Sequence, residues 1–220
     1  MVNVRNCIFS YIQIVDIIMF MYYNINIDTI SYIGGIKMDE KNVQPLRTRE
    51  EIEEMKWALR RHCSERDYFM FVFGINTGLR VSDIVPLKVK DVKNKQHIVK
   101  KETKTKKIKR FYLNNTLREE IATYIQGMND EDYLFPSRKG DKNISTTQAY
   151  RSLVKAAGML DRDDIGTHTM RKTFGYHHYK RNKDVATLQT LFNHSAPSIT
   201  LRYIGITDDE VEATLIDFSL

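Results

Sequence analysis

Near the C-terminus, the stretch NHSAPSITLRYIGI, Asn193 to Ile206, brings His194 and Tyr203 together with Thr200 and Arg202. A tyrosine hydroxyl is a poor nucleophile at its ordinary pKa of about 10. It becomes a good one only beside a base or concentrated positive charge. Three other stretches supply such groups. In NTGLRVSD, Arg80 follows Gly78 and Asp83 stands three residues on, where a carboxylate would brace the guanidinium to clamp two phosphate oxygens. In THTMRK, His168 and Arg171 are spaced i and i+3 and share a helix face, joining a proton-transfer group to a charge stabiliser. In ETKTKK, Lys104, Lys106 and Lys107 crowd a hairpin turn from which an ammonium can reach a leaving oxygen. Each stretch alone reads as well as a surface cation or a helix end. Together they make one set for phosphoryl transfer onto a side chain: two arginines, two histidines, a lysine and a tyrosine. No metal or organic cofactor is expected, since the sequence offers no paired carboxylates for two-metal hydrolysis, no Walker loop and no GxSxG elbow.

The elements that must position these groups are legible around them. TREEIEEMKWALRRH opens on a capping box, Thr48 with Glu51, and carries Ile52, Met55 and Leu59 at helical spacing. SERDYFMFVFGINTG is apolar on most sides, which predicts a central buried helix ended by Gly78. RVSDIVPLKVKDV predicts a short helix stopped around Pro86, and HIVKKE and KIKRFYL predict two strands of a hairpin joined by the polar TKTK turn. Further helices are expected at NTLREEIATYIQGM, TTQAYRSLVKAAGM, THTMRKTFGYHHYKR, DVATLQTLFNH and TDDEVEATLIDF. The fold class is therefore mostly α with a small antiparallel β-hairpin (α+β), in one domain with neither repeat nor long linker.

The 220 residues suffice for one domain with a real core. The net charge of +6 is unevenly spread: Lys88 to Arg110 is dominated by lysine, whereas the tail after Thr207 is acidic. A basic stripe suits a polyanionic partner, although a solvated lysine-rich hairpin fits charge alone equally well. Cys7 and Cys63 form no metal-ligand spacing and suggest a reducing compartment. Residues 1–37 differ from the rest, being rich in Ile, Tyr and Asn and poor in charge. Gln13 and Asp16 interrupt their apolar run, so a membrane span is not expected. We expect 1–37 to be a dispensable extension and Met38 the natural start.

From Pro45 onwards the motifs together resemble the catalytic domain of the tyrosine recombinases, the phage integrase family. TGLRVSDIVPLKVKDV resembles its first arginine box, HTMRKTF its HxxR box, LFNHSAPSITLRYIGI the box holding the second histidine and the nucleophile, and ETKTKKIKRFYLN the hairpin that delivers a lysine. The resemblance implies the tyrosine-recombinase catalytic fold over 38–220 and a site of Arg80, Lys104, His168, Arg171, His194 and Tyr203. Tyr203 would attack the scissile phosphate and free a 5′-hydroxyl, leaving a 3′-phosphotyrosyl bond. Arg80 and Arg171 would stabilise the transition state, and Lys104 would protonate the departing oxygen. His168 would help take the tyrosine proton, and His194 would bind the phosphate. It implies double-stranded DNA bearing inverted repeats as substrate, and a homo-tetramer on paired sites. It further implies an accessory DNA-binding protein where one is required, and action in the cytoplasm on the nucleoid, away from membranes.

Three departures stand out. Lys172 occupies the place of a common second histidine, Asn193 that of a glycine, and about 45 residues are too few for the separate N-terminal domain of the usual recombinase. A type IB topoisomerase-like activity and a non-catalytic DNA-binding accessory factor are the alternatives; a hydrolase that works without Tyr203 is a third.

Overall fold

The computed structural model describes residues 43–101, 108–206 and Ile216. Two capped helices start the fold. The first, α1 (Arg49–His62), has the capping box of Thr48 and Glu51, and Met55 and Leu59 are fully buried on its inner face. The second, α2 (Glu65–Thr77), is capped by Ser64 and buries residues on nearly every side. Its Phe69 ring stacks on Tyr124 and on Phe135, and burial of each such ring contributes about 2 kcal/mol. Gly78 ends α2 with φ +64°, a conformation that favours glycine, and a side chain there would also collide with the Phe174 ring.

A single turn, α3 (Val81–Ile84), follows and stops before Pro86. Strands β1 (His97–Lys101) and β2 (Ile108–Tyr112) pair antiparallel, from His97 opposite Tyr112 to Lys101 opposite Ile108. Alternation decides the packed face: Ile98 and Phe111 point into the core, while Val99, Ile108 and Tyr112 are exposed. The helices α4 (Asn115–Tyr124), α5 (Thr146–Gly158), α6 (Thr169–Asn182) and α7 (Val185–Phe192) follow, each in a stretch where the sequence predicts one. The structure adds α8 (Pro197–Ile204), in a stretch for which the sequence pattern names no helix. The turn bearing Lys104, Lys106 and Lys107, the expected helix TDDEVEATLIDF and residues 1–42 lie outside the described residues, Ile216 excepted.

The core has two parts. The larger surrounds α2; the smaller, built from Tyr176, Leu188, Phe192, Ile204 and Ile206, lies where α6, α7 and α8 meet. Gly175 permits that meeting, since a Cβ there would stand 2.6 Å from Ile204 and 2.8 Å from Phe192. The chain enters α1 through residues 43–47, laid along α6. Lys172 Nζ donates to the Val43 carbonyl, Leu46 N–H to Thr173 Oγ1 at 2.9 Å, and His177 Nε2 to the Leu46 carbonyl at 3.0 Å. Arg47 then reaches over the Tyr176 ring to the Gly205 carbonyl at 2.9 Å.

Candidate active site

The site lies where the ends of several helices converge. Arg171, in the first turn of α6, is buried to 4% exposure and carries a full charge that the fold must satisfy. It does so on backbone carbonyls: Nη1 donates to Gly78 at 2.6 Å and Nη2 to Phe192 at 3.1 Å. These residues end α2 and α7, whose last carbonyls lack helical partners and carry the negative end of the helix dipole. The guanidinium also lies 4.2 Å from the centroid of the Phe192 ring. Burial, then the charge of Arg80, draw the Arg171 pKa down to about 10, so it remains a cation at neutral pH.

His168 is the N-cap residue of α6, and its Nδ1 lies 3.1 Å from the Tyr203 hydroxyl. Burial holds its pKa below the ordinary histidine value, with further lowering from Lys172, Arg171 and Arg80 in that order. The imidazole is thus neutral near pH 7, and in the tautomer protonated at Nε2 its Nδ1 can accept the hydroxyl proton. Tyr203 stands on the last turn of α8, anchored by buried Ile204 beside it. Burial pushes its pKa up, and Arg171 and Arg80 oppose that rise. A phenol so placed needs the base beside it to react.

His194 follows Asn193, which ends α7 at φ +57°, the left-handed conformation that asparagine tolerates well. That turn brings the His194 ring to 5.1 Å from Tyr203, edge to face, and its Nδ1 to 3.0 Å from the hydroxyl of fully buried Thr200. Arg80 is exposed at the start of α3, and its charge acts on His168, Arg171 and Tyr203 alike. The expected brace from Asp83 is not formed: among the described residues no ion pair joins Arg80, Arg171 or Lys172 to a carboxylate.

Five of the six sequence-predicted residues therefore gather at one place, and Lys104 lies outside the described residues. The sequence does not reveal the carbonyls of Gly78 and Phe192 or the hydroxyl of Thr200 as supports, nor a place in the site for Lys172, whose Nζ lies 5.4 Å from the Tyr203 ring centroid. Only Lys172 had a signal, its place next to Arg171 on α6. Positive charge without paired carboxylates around a base-linked hydroxyl is an arrangement for attack on a phosphate diester.

The phage integrase family profile matches residues 46–210. The chain belongs to the phage integrase family, the tyrosine recombinases. Membership places it among the integrase and recombinase enzymes of DNA recombination. It is 52% identical over 171 residues to the probable integrase/recombinase YoeC of Bacillus subtilis, spanning 78% of this chain and 94% of that protein. It is 32% identical over 150 residues to a tyrosine recombinase of Pseudothermotoga lettingae, spanning 67% of this chain and 52% of that protein, so it covers about half the length of that relative. The fold matches the XerH site-specific recombinase bound to difH in a pre-cleavage complex, with a TM-score of 0.60 and 20% identity, over 86% of this chain and 58% of that one. It also matches a lambda integrase dimer bound to a core site, with a TM-score of 0.58 and 14% identity, over 79% of this chain and 50% of that one. This family member thus has the expected mostly helical fold with a two-stranded antiparallel sheet. Among the described residues no helix is long and apolar enough to cross a membrane.

Proposed function

We propose that Tyr203 is the nucleophile of a site-specific strand exchange on double-stranded DNA. The observation that carries this reading is the 3.1 Å contact between its hydroxyl and His168 Nδ1, set among Arg80 and Arg171. In the reaction, Tyr203 Oη forms a bond to phosphorus and passes its proton to His168. The bond from phosphorus to the 5′-oxygen breaks, and Lys104 protonates that oxygen. Arg80 and Arg171 stabilise the non-bridging oxygens of the transition state, and His194, steadied by Thr200, hydrogen-bonds the phosphate. The 3′-phosphotyrosyl bond conserves the energy of the broken diester, so a new 5′-hydroxyl can reseal it without ATP or a cofactor.

Integration, excision or inversion needs two sites and four cleavages, and hence a tetramer on inverted repeats, with an accessory DNA-binding protein where the site demands one. The acidic, apolar tail after Thr207 would dock on a neighbouring subunit. A cavity of about 1060 Å³ between α1, the end of α2, β2 and α6 supports this, for Arg49, Arg110 and Arg181 line it beside the Lys56–Glu53 ion pair and complement TDDEVE. Residues 38–220 act as the catalytic domain in the cytoplasm, with 1–37 dispensable.

Covalent capture tests the reading. The full chain is expressed beside its native chromosome and denatured, and protein-linked DNA is sequenced, with Tyr203→Phe in parallel. The expected result is a Tyr203-dependent adduct at a short inverted repeat, with flanks exchanged between two such sites. Nicking and resealing without exchange would point to the topoisomerase-like alternative, and an adduct surviving in Tyr203→Phe would overturn the assignment. Lys104 and Lys106 are told apart by a 5′-thiol leaving group, which restores cleavage only to the variant lacking the general acid.

A further inference from the structure

Lys172 sits where structural economy argues against a lysine. It lies in the first turn of α6, at the positive end of the helix dipole and next to Arg171, where burial draws its pKa down. It is half-buried, and among the described residues it has no carboxylate partner. Its ammonium donates to the Val43 carbonyl and lies 5.4 Å from the centroid of the Tyr203 ring. A charge held in so unfavourable a place, against the side chain that is to react, has a use that compensates its desolvation.

We propose that Lys172 is a positioning residue of this site: tethered to Val43, its ammonium fixes the face of the Tyr203 ring and keeps a second positive charge off the neighbouring His168. The inference rests on Tyr203 being the nucleophile and His168 its base. The geometry provides both parts. A cation over an aromatic face holds the ring from one side, while the His168 contact holds the hydroxyl from the other. The imidazole meets Lys172 and Arg171 from α6, Arg80 from the start of α3 and the Tyr203 hydroxyl from α8, while His194 lies beyond Tyr203. Of the three cations, Lys172 acts most strongly on His168, which is lowered first by burial and then by Lys172. The segment at Val43 contributes a carbonyl there. Lysine at this position thus secures for His168 the neutral state that proton acceptance requires, and ties that state to the chain entering the domain.

The test is a proton-resonance titration of the His168 ring in the full, DNA-free chain, assigned with His168→Gln. Lys172→Gln removes the charge and keeps a donor for Val43, Lys172→Met keeps the stem alone, and Lys172→Arg keeps the charge. The His168 midpoint is expected to move to higher pH in the Gln and Met variants and to return towards the wild-type position in Arg. A midpoint unmoved in whichever neutral variant folds overturns the proposal. In parallel, adduct formation is followed against pH on a duplex ending in a 3′-p-nitrophenyl phosphodiester. There Tyr203 Oη bonds to phosphorus, nitrophenolate leaves without an acid, and His168 takes the proton. The acid limb of the rate is expected to shift with the midpoint, with a several-fold loss at about pH 6 in Lys172→Gln. A fall in rate that is uniform across pH would mean a merely structural lysine and would also overturn the proposal. Absence of any adduct in the wild type counts against Tyr203 as nucleophile, and the titration then decides Lys172 by itself.

Discussion

In the proposed reaction, the contact between Tyr203 and His168 makes the pH dependence a property of one imidazole. Its pKa is held below the ordinary value of about 6.5 by burial and by Lys172, Arg171 and Arg80. A base must be unprotonated, so cleavage is expected to rise with pH through the depressed value. Bound DNA brings a phosphate anion among those cations and favours the imidazolium. The acid limb is therefore expected at higher pH in single-turnover cleavage from the complex than in the second-order rate of the free enzyme. Equal limbs in the two profiles would remove His168 as the base. The same depression acts on stability with its own sign. The unfolded chain binds the His168 proton more readily, so this contribution is fully present above the unfolded value and declines as pH falls through the window below it. Arg171 carries a different burden, since it satisfies carbonyls at the ends of two helices. Arg171→Lys keeps the charge but cannot span both. Leaving one buried carbonyl unpaired costs about 1–3 kcal/mol. Calorimetry should show that loss together with a hundredfold or greater fall in cleavage, on the order of what removal of one preorganised donor costs.

Among the elements, α8 carries the proposed nucleophile, and its seat is a glycine. Gly175→Ala would drive a methyl against Ile204 and Phe192, so α8 must shift or the small core must open. Overpacking of this kind costs about 1–3 kcal/mol, and in a domain of this size each kcal/mol lowers Tm by about 2–4 °C. A fall in Tm is expected alongside a larger relative fall in Tyr203 adduct, whereas unchanged cleavage would show that α8 is held by other means. The sequence discloses α1 and α2 readily because capping residues and apolar spacing agree there, with Thr48, Glu51 and Ser64 all in use. The helix bearing Tyr203 has little sequence signature because it is eight residues long and its N-cap, Ala196, makes no side-chain cap; Pro197 at its start is its one mark. Asn193 was legible, since its type already suited the left-handed turn the structure gives it. The candidate site was legible as residue types. Its supports were not: the Gly78 and Phe192 carbonyls reach Arg171 only through tertiary approach, and no backbone acceptor has a letter in the sequence. The brace of Arg80 by Asp83, plausible from spacing, does not form: Arg80 is the extended N-cap of a single turn, so the pair lacks the i, i+3 relation of two helical residues.

For the whole molecule, charge is divided rather than merely positive. A net +6 combines a lysine-rich centre with an acidic end, and the groove between α1 and α6 presents Arg49, Arg110 and Arg181 beside the Lys56–Glu53 ion pair. If the tail of one subunit occupies the groove of the next, the pairing of TDDEVE with those cations sets assembly without entering the chemistry. Reversing the groove by Arg49→Glu with Arg181→Glu is expected to leave binding to a single DNA site within a few-fold of wild type and to abolish assembly on paired sites in sedimentation. Reversing the tail alone, Asp208→Lys with Asp209→Lys, should do the same. Combining the two sets restores opposite signs across the interface and should recover assembly, because repulsion of like charges is then removed at both ends. Recovery separates docking of the tail in the groove from two unrelated losses of charge, which would add rather than cancel. A combined variant no better than either parent would place the tail elsewhere and leave the groove without its proposed partner.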